Sequence, residues 1–373
     1  MSVKGIVKKD KKTKRLIYKL KPGDIALLSH EDIDEIAVEA LIKSRVRCII
    51  NTEKTMTGYY PNKGPLKLLE NGIPIYEIDD KNIFNIVEDN KIIEIKNNKI
   101  FYSNKFIGKC KLIKKDEMLN LYDLGCRNFD VKLNDFIDNT IFYAKKEKNW
   151  ITNKIKLPKI ETLIKNRHVL IVVRGKSYKQ DLKAILDYIK NKRPVLIGVD
   201  GGGDALLEFG LIPDIVIGDL DSVSDRCLRL CKEIIVHAYP NGYAPGLKRI
   251  KENGLKAKIF SSVGTSEDIA MLLAYDYGAE LIVAVGTHNC MIDFLEKGRK
   301  GMGSTFLVRT KIGSKLVDAK GINKLYDEKL EIKYYVYLGL SALLPIYILS
   351  MLHFPIKMML NQISIRIKML IGL

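Results

Sequence analysis

Short apolar runs alternate with stretches of helical period along most of the chain. Asp24–Leu28, Ile33–Lys43 and Val46–Asn51 predict strand, helix and strand, because the apolar period changes from two to about 3.6 and back. Pro65–Glu70 and Ile73–Ile78 add a further helix and strand. Lys91–Ile95, Lys99–Tyr102 and Phe106–Ile113 predict a small antiparallel module, with Asn97-Asn98 as a turn. Helices are expected at Asp116–Leu121 and Leu133–Lys146, then a linker at Lys148–Pro158 in which Trp150 packs between domains. Beyond it, Val169–Val173, Pro194–Val199 and Asp214–Ile217 predict buried strands. The expected organisation is an α/β domain at 1–147 with a β-rich module near 80–115, a linker at 148–165, a doubly wound α/β domain at 166–328 and a tail at 329–373.

The tail changes the picture. Tyr334–Phe354 holds 21 residues without Lys, Arg, Asp or Glu. At about 1.5 Å per residue that matches a hydrocarbon layer of roughly 30 Å, and Tyr334, Tyr335 and Tyr337 suit a membrane interface. Lys357, Asn361, Ser364 and Lys368 share one helical face opposite Met358, Met359, Ile363, Ile367 and Leu370, as in an interfacial helix. The expectation is a membrane anchor with the main body cytoplasmic; a buried hydrophobic helix or hairpin is the competing reading.

Charge and cysteines narrow the setting. The 373 residues carry a net charge of +18, and the first 21 hold nine Lys or Arg with no apolar run, so no cleavable signal opens the chain. A basic start favours anionic lipid or a solvated arm; nucleic acid is disfavoured, since no helix-turn-helix, zinc module or aromatic single-strand platform accompanies it. Six cysteines without a Cys-x-x-Cys pair read as reduced thiols.

Candidate chemistry lies at predicted strand ends. Val199-Asp200-Gly201-Gly202-Gly203-Asp204 and Ile217-Gly218-Asp219-Leu220-Asp221-Ser222 each follow a strand, which puts carboxylates on the edge where open α/β sheets bind ligands. Glycines there admit a phosphate close to the backbone, and the acids suit Mg²⁺ shared with a polyphosphate. Gly264-Thr265-Ser266-Glu267-Asp268 opens a helix at the same edge. Arg174 follows another strand, where pairing with phosphate competes evenly with a salt bridge to Asp200 or Asp219. His288 stands at a fifth strand end, as a general base or a satisfied polar residue. His30, Asp32 and Asp34 read as helix-capping groups before a metal site, and Tyr60–Pro65 as a structural turn.

Together these runs resemble thiamine pyrophosphokinase over roughly Arg167–Val285. The resemblance implies that Asp200, Asp219, Asp221 and Asp268 bind metal, that Asp219, Asp221 and Asp268 serve catalysis, and that Arg174, Asp200, Gly201, Gly202, Asp204, Ser222, Thr265 and Ser266 contact nucleotide. The run expected on the thiamine side is replaced by Gly286-Thr287-His288-Asn289-Cys290-Met291-Ile292-Asp293. The whole chain resembles SteA-type cytokinetic-ring proteins, on Lys21-Pro22-Gly23-Asp24, Tyr60–Pro65, Val173-Arg174-Gly175, Val236–Pro240, Asn241–Gly246 and Phe294–Arg299. That resemblance implies a membrane-anchored division or envelope protein that binds ATP or another nucleotide with Mg²⁺ and meets a division or envelope partner. An active ATP-dependent diphosphokinase is the alternative. A homodimer rests on analogy with the kinase family.

Overall fold

The computed structural model describes residues 2–153, 155–325, 332–352 and 354–371. Two compact units emerge, Met1–Gly321 and Ile322–Leu373.

The first unit contains two sheets. Its first half runs β1 (Ser2–Lys9), α1 (Thr13–Leu16), β2 (Ile25–Leu28), α2 (Glu35–Lys43), β3 (Cys48–Asn51), α3 (Gly64–Glu70), β4 (Ile75–Glu77), α4 (Ile83–Ile86), β5 (Ile92–Lys96), β6 (Lys99–Tyr102), β7 (Lys105–Lys109) and β8 (Lys111–Leu112). These strands form a mixed sheet in the order β7-β6-β5-β1-β2-β3-β4-β8, parallel from β1 to β4. The expected elements of this half are present with small shifts at their ends, except that the strand expected at Phe106–Ile113 is two strands, β7 pairing with β6 and β8 with β4 on the opposite edge of the sheet. Asn97 and Asn98 both take positive φ, 51° and 58°, as a tight hairpin turn requires.

The basic start is not a free arm. Ser2–Lys9 is a central strand in which Val3, Gly5 and Val7 face inward between exposed Lys4, Ile6 and part-buried Lys8. The expected linker is also different. Residues Lys115–Thr152 form one helix of 38 residues, α5, which runs through both predicted helices and into the expected linker. It packs on α3 in the first half and on a helix of the second half described below.

The second half runs β9 (His168–Val172), α6 (Tyr178–Ala184), α7 (Leu186–Lys192), β10 (Val195–Val199), α8 (Gly202–Glu208), β11 (Ile215–Gly218), α9 (Asp225–Leu230), β12 (Glu233–Ala238), α10 (Leu247–Glu252), β13 (Lys258–Ser261), α11 (Ser266–Asp276), β14 (Leu281–Val285), α12 (Met291–Leu295), α13 (Gly303–Ile312) and β15 (Leu316–Asp318). Its strands are all parallel in the order β13-β12-β11-β10-β9-β14-β15. Helices cover both faces, so the inner strands are buried on both sides, while the edge strands β13 and β15 stay partly exposed at Ile259 and Val317. Ile215 and Ile217 enter a core with α11 and α13, while Val216 between them enters the opposite core with Val236, Cys227 and Ile250. This is the expected doubly wound arrangement, with order reversing between β9 and β14.

The second unit holds α14 (Ile332–Leu352), with Pro345 inside it, and α15 (Phe354–Ile371). The expected span Tyr334–Phe354 falls on α14 and the start of α15, with residue 353 outside the described residues. Among the described residues no helix is long and apolar enough to cross a membrane, so the expected anchor finds no support here.

Candidate active site

The acidic edge is built by glycine-dependent close packing. Asp200 turns the chain out of β10 with φ of 48°, and its N–H donates to Ile217 O across the sheet. Its Oδ1 accepts from Leu220 N–H at 2.9 Å, which ties the β10 turn to the β11 turn. Gly218 must be glycine: its φ is 150°, and a Cβ there would lie 2.0 Å from Asp200 Oδ1. Gly202 lets α8 press on β9, since a Cβ would meet Val172 O at 1.9 Å. Leu220 is held in the left-handed region, φ 62°, by complete burial of its side chain.

Three carboxyl groups thus line up. Asp219 stands close enough to Asp200 for its charge to act on it, and the Asp221 N–H donates to Asp219 Oδ1 at 3.1 Å. Burial, then the charge of Asp219, pushes the Asp200 carboxyl up to about 8, so the group keeps a proton near neutral pH. Asp221 behaves oppositely. Burial would raise it, but Lys14 and Lys12 outweigh that and bring it down to about 2. Lys14 Nζ lies 2.5 Å from Asp221 Oδ1 and Lys12 Nζ 3.3 Å from Oδ2. Both lysines belong to the first half of the chain, so the predicted basic arm contributes directly to the acidic edge.

Two cavities flank this line. One, of about 920 Å³, is lined by Tyr18, Ile36 and Lys43 from the first half and by Arg174, Asp200, Gly201, Ser222, Thr265, Ser266, Glu267 and His288 from the second. The other, of about 780 Å³, is lined by Lys12, Arg15, Asp219, Asp221, Ser224 and Tyr239. Lys14, Tyr18 and Ser222 stand in both walls. Tyr239 stacks on Tyr243, with ring centroids 6.1 Å apart and planes within 3°.

Several sequence-predicted residues lie elsewhere. Asp268 is fully buried and lines neither cavity. Its Oδ2 accepts from Thr265 N–H at 2.8 Å, Ser304 Oγ at 2.9 Å and Thr305 Oγ1 at 3.1 Å, closing a capping box that starts α11. Asp204 accepts from the Ser224 N–H at 2.8 Å and from its hydroxyl, fixing the start of α9. Gly202 serves packing. Arg174 bonds neither Asp200 nor Asp219; it donates to Tyr18 Oη at 2.7 Å and Glu208 Oε1 at 3.4 Å, and its Nε is buried without a partner. Asp34 caps α2 by accepting from Ala37 N–H, and Asn62 fixes the Tyr60–Pro65 turn through Ile33 O and Gly64 N–H.

Sequence reasoning gave no role to Glu267, which here holds His288. Glu267 Oε1 lies 2.5 Å from His288 Nδ1, and Oε2 accepts from the His288 N–H at 3.0 Å. The available signal was an extra acid beside Asp268 in the first turn of α11, on the cavity side of that helix.

Carboxylate oxygens are the donor type that Mg²⁺ prefers. Among the described residues, no three His, Cys, Asp or Glu side chains gather closely enough to hold a metal ion alone. The fit is to an ion that also takes oxygens from a polyphosphate, as Mg²⁺ commonly does.

Comparison with known proteins bears on this site. The chain is 28% identical over 203 residues to the 6-hydroxymethyl-7,8-dihydropterin pyrophosphokinase of Methanocaldococcus jannaschii, which covers 49% of this chain and 83% of that protein. This chain is a homologue of a pyrophosphokinase. No family model matches it. Among solved structures, a thiamine pyrophosphokinase from Bacillus subtilis is 21% identical, covering 41% of this chain and 59% of that one, with a TM-score of 0.26. A 3-isopropylmalate dehydratase from M. jannaschii is 17% identical, covering 37% and 98%, with a TM-score of 0.22. Neither structural likeness bears on function. Membership of the SteA-type family is not shown by these relatives.

Proposed function

We propose that the second half of Met1–Gly321 is a Mg²⁺-dependent pyrophosphokinase domain that moves the terminal pyrophosphoryl group of ATP to an alcohol. The observation that carries this reading is the line Asp200–Asp219–Asp221 at the junction of two cavities that share Lys14, Tyr18 and Ser222. Such a reaction needs separate places for donor and acceptor on either side of one charged ridge. Asp219 and Asp221 would hold the ion together with phosphate oxygens, and Asp200 would support them. When bound, Mg²⁺ supplies charge neutralisation of the transferring group. Lys12 and Lys14 would meet the negative charge of the phosphates from the opposite side, and the Gly201 turn leaves room for close approach.

The alcohol in the name of the M. jannaschii relative, 6-hydroxymethyl-7,8-dihydropterin, is the first acceptor to try, followed by thiamine. The test is AMP release by the full chain from ATP and Mg²⁺, with each alcohol and with none. Alcohol-stimulated AMP release supports the enzyme. One observation favours a second reading, a nucleotide-gated scaffold without turnover: Lys12 and Lys14 of the chain itself pair with Asp221. Tight Mg²⁺-dependent ATP binding with no AMP under any condition would select that reading.

A further inference from the structure

His288 lies just beyond β14, beside the end of β9, where the order of the parallel sheet reverses. Open α/β sheets take their ligands in the crevice at such a reversal. Here the two strand ends meet through glycine: a Cβ on Gly175 would stand 2.0 Å from Gly286 O. The imidazole of His288, 6% exposed, forms part of the 920 Å³ cavity wall.

The ring is held in one orientation. Glu267 grips its Nδ1 at 2.5 Å and its backbone N–H at 3.0 Å. Burial alone would raise the Glu267 carboxyl; His288 and then Lys297 outweigh it and hold the group below the usual range, so it is an ionised acceptor. A contact at that distance fixes the ring through Nδ1 and turns Nε2 away from Glu267. No described residue hydrogen-bonds Nε2. Lys297 Nζ lies 3.3 Å from Nδ1 and 3.8 Å from Glu267 Oε1. The further charged groups in this wall are Arg299 after α12, Glu39 and Lys43 on α2, Lys14 on α1, Arg174 after β9, Lys179 on α6, Asp200 after β10 and Glu208 on α8.

We infer that His288 Nε2 is the general base for the acceptor alcohol, with Glu267 as its positioning residue; the inference rests on the pyrophosphokinase reading above. The acceptor oxygen forms a bond to the β-phosphorus of ATP while the bond from that phosphorus to the α,β-bridging oxygen breaks. AMP leaves with the electron pair. The hydroxyl proton passes to Nε2 and then to solvent. Of the acidic edge, Asp200 stands with the base in the wall of this cavity, while Asp219 and Asp221 line the neighbouring one, which shares Lys14, Tyr18 and Ser222 with it.

Two measurements on the full chain test this. Binding of a non-hydrolysable ATP analogue with Mg²⁺ is measured by calorimetry, and AMP release is followed from pH 5 to 9 with 6-hydroxymethyl-7,8-dihydropterin and with water alone as acceptor. His288→Gln is expected to bind the analogue within about twofold of the parent and to release AMP about 100-fold more slowly, without the acidic limb of the pH profile. Glu267→Gln is expected to keep that limb and the analogue affinity while kcat falls with KM for the alcohol unchanged, because the ring is no longer held in place. A His288→Gln chain with the parent rate and limb overturns the assignment, as does a long-range ¹H–¹⁵N spectrum that puts the His288 proton on Nε2. Analogue binding without AMP release by the parent overturns the pyrophosphokinase reading in favour of the scaffold, whereas AMP release by His288→Gln at the parent rate overturns the base role alone. Absence of both overturns the pyrophosphokinase reading and the base role with it.

Discussion

Lys14 in α1 reaches across to Asp221 after β11, with Nζ 2.5 Å from Oδ1, so the first turn of helix in the chain completes an acidic edge 207 residues later. Lys14 is 46% exposed and Asp221 22%, so solvent screens the pair and it contributes at most about 1 kcal/mol to stability. Its larger effect is on what can bind.

Lys14→Ala should therefore leave the unfolding temperature nearly unchanged while ATP affinity falls roughly tenfold, the loss of one charge-assisted phosphate contact. Calorimetric titration with Mg²⁺-ATP checks this. Unaltered affinity would remove α1 from the nucleotide site.

Asp219→Ala should abolish the Mg²⁺ dependence of nucleotide binding, because Asp219 acts by charge on Asp200 and holds the Asp221 N–H. Titrations with and without chelator should then give one common affinity.

Asp204→Ala separates a structural acid from a binding one. Its carboxylate caps α9 through Ser224 and lies outside both cavities, so stability should fall by about 1 kcal/mol with ATP affinity intact. A large loss of affinity would return Asp204 to the nucleotide site.

Glu296 predicts a pH dependence. Burial, then the acids Asp34, Asp293 and Glu35, raises its carboxyl to about 8. The folded chain thus holds a proton that the unfolded chain releases near pH 4.5, and stability falls as pH rises from there through about 8. Glu296→Gln should match the parent at pH 4 and exceed it by roughly 1–2 kcal/mol at pH 8.5 in urea denaturation. Equal stability at both pH values would show that the acids do not repel one another.

Gly218→Ala tests the packing of the two turns. With φ of 150° and Asp200 Oδ1 2.0 Å from the added Cβ, it should cost about 2 kcal/mol or more and weaken nucleotide binding with it.

Much of this was legible in the sequence because local chemistry dictated it. The Asn97-Asn98 turn, the buried runs before Asp200 and Asp219, and the Asp34 cap each follow from residue type and spacing. What escaped was decided by tertiary contact. Ser2–Lys9 carries a strand alternation, Val3, Gly5 and Val7 inward, masked by its lysines. Asp268 and Glu267 are neighbours on one helix turn, and only packing against Ser304 and Thr305 shows that the first faces the interior while the second faces the cavity. Nor does residue spacing show that Lys12 and Lys14 end on Asp221.

Helix α5 has a consequence for heredity. At about 1.5 Å per residue its 38 residues span roughly 57 Å, with Met118 in the core of the first half and Ile151 in that of the second. Gly301 and Gly303 bring the α13 region so near it that a Cβ on either would strike its backbone. A recombination event that exchanged one half for a foreign domain would strip a row of side chains from the other, wherever the break fell. The long helix is therefore the seam at which the two halves must match, and a half that stands without the other needs different side chains to cover the exposed row on α5.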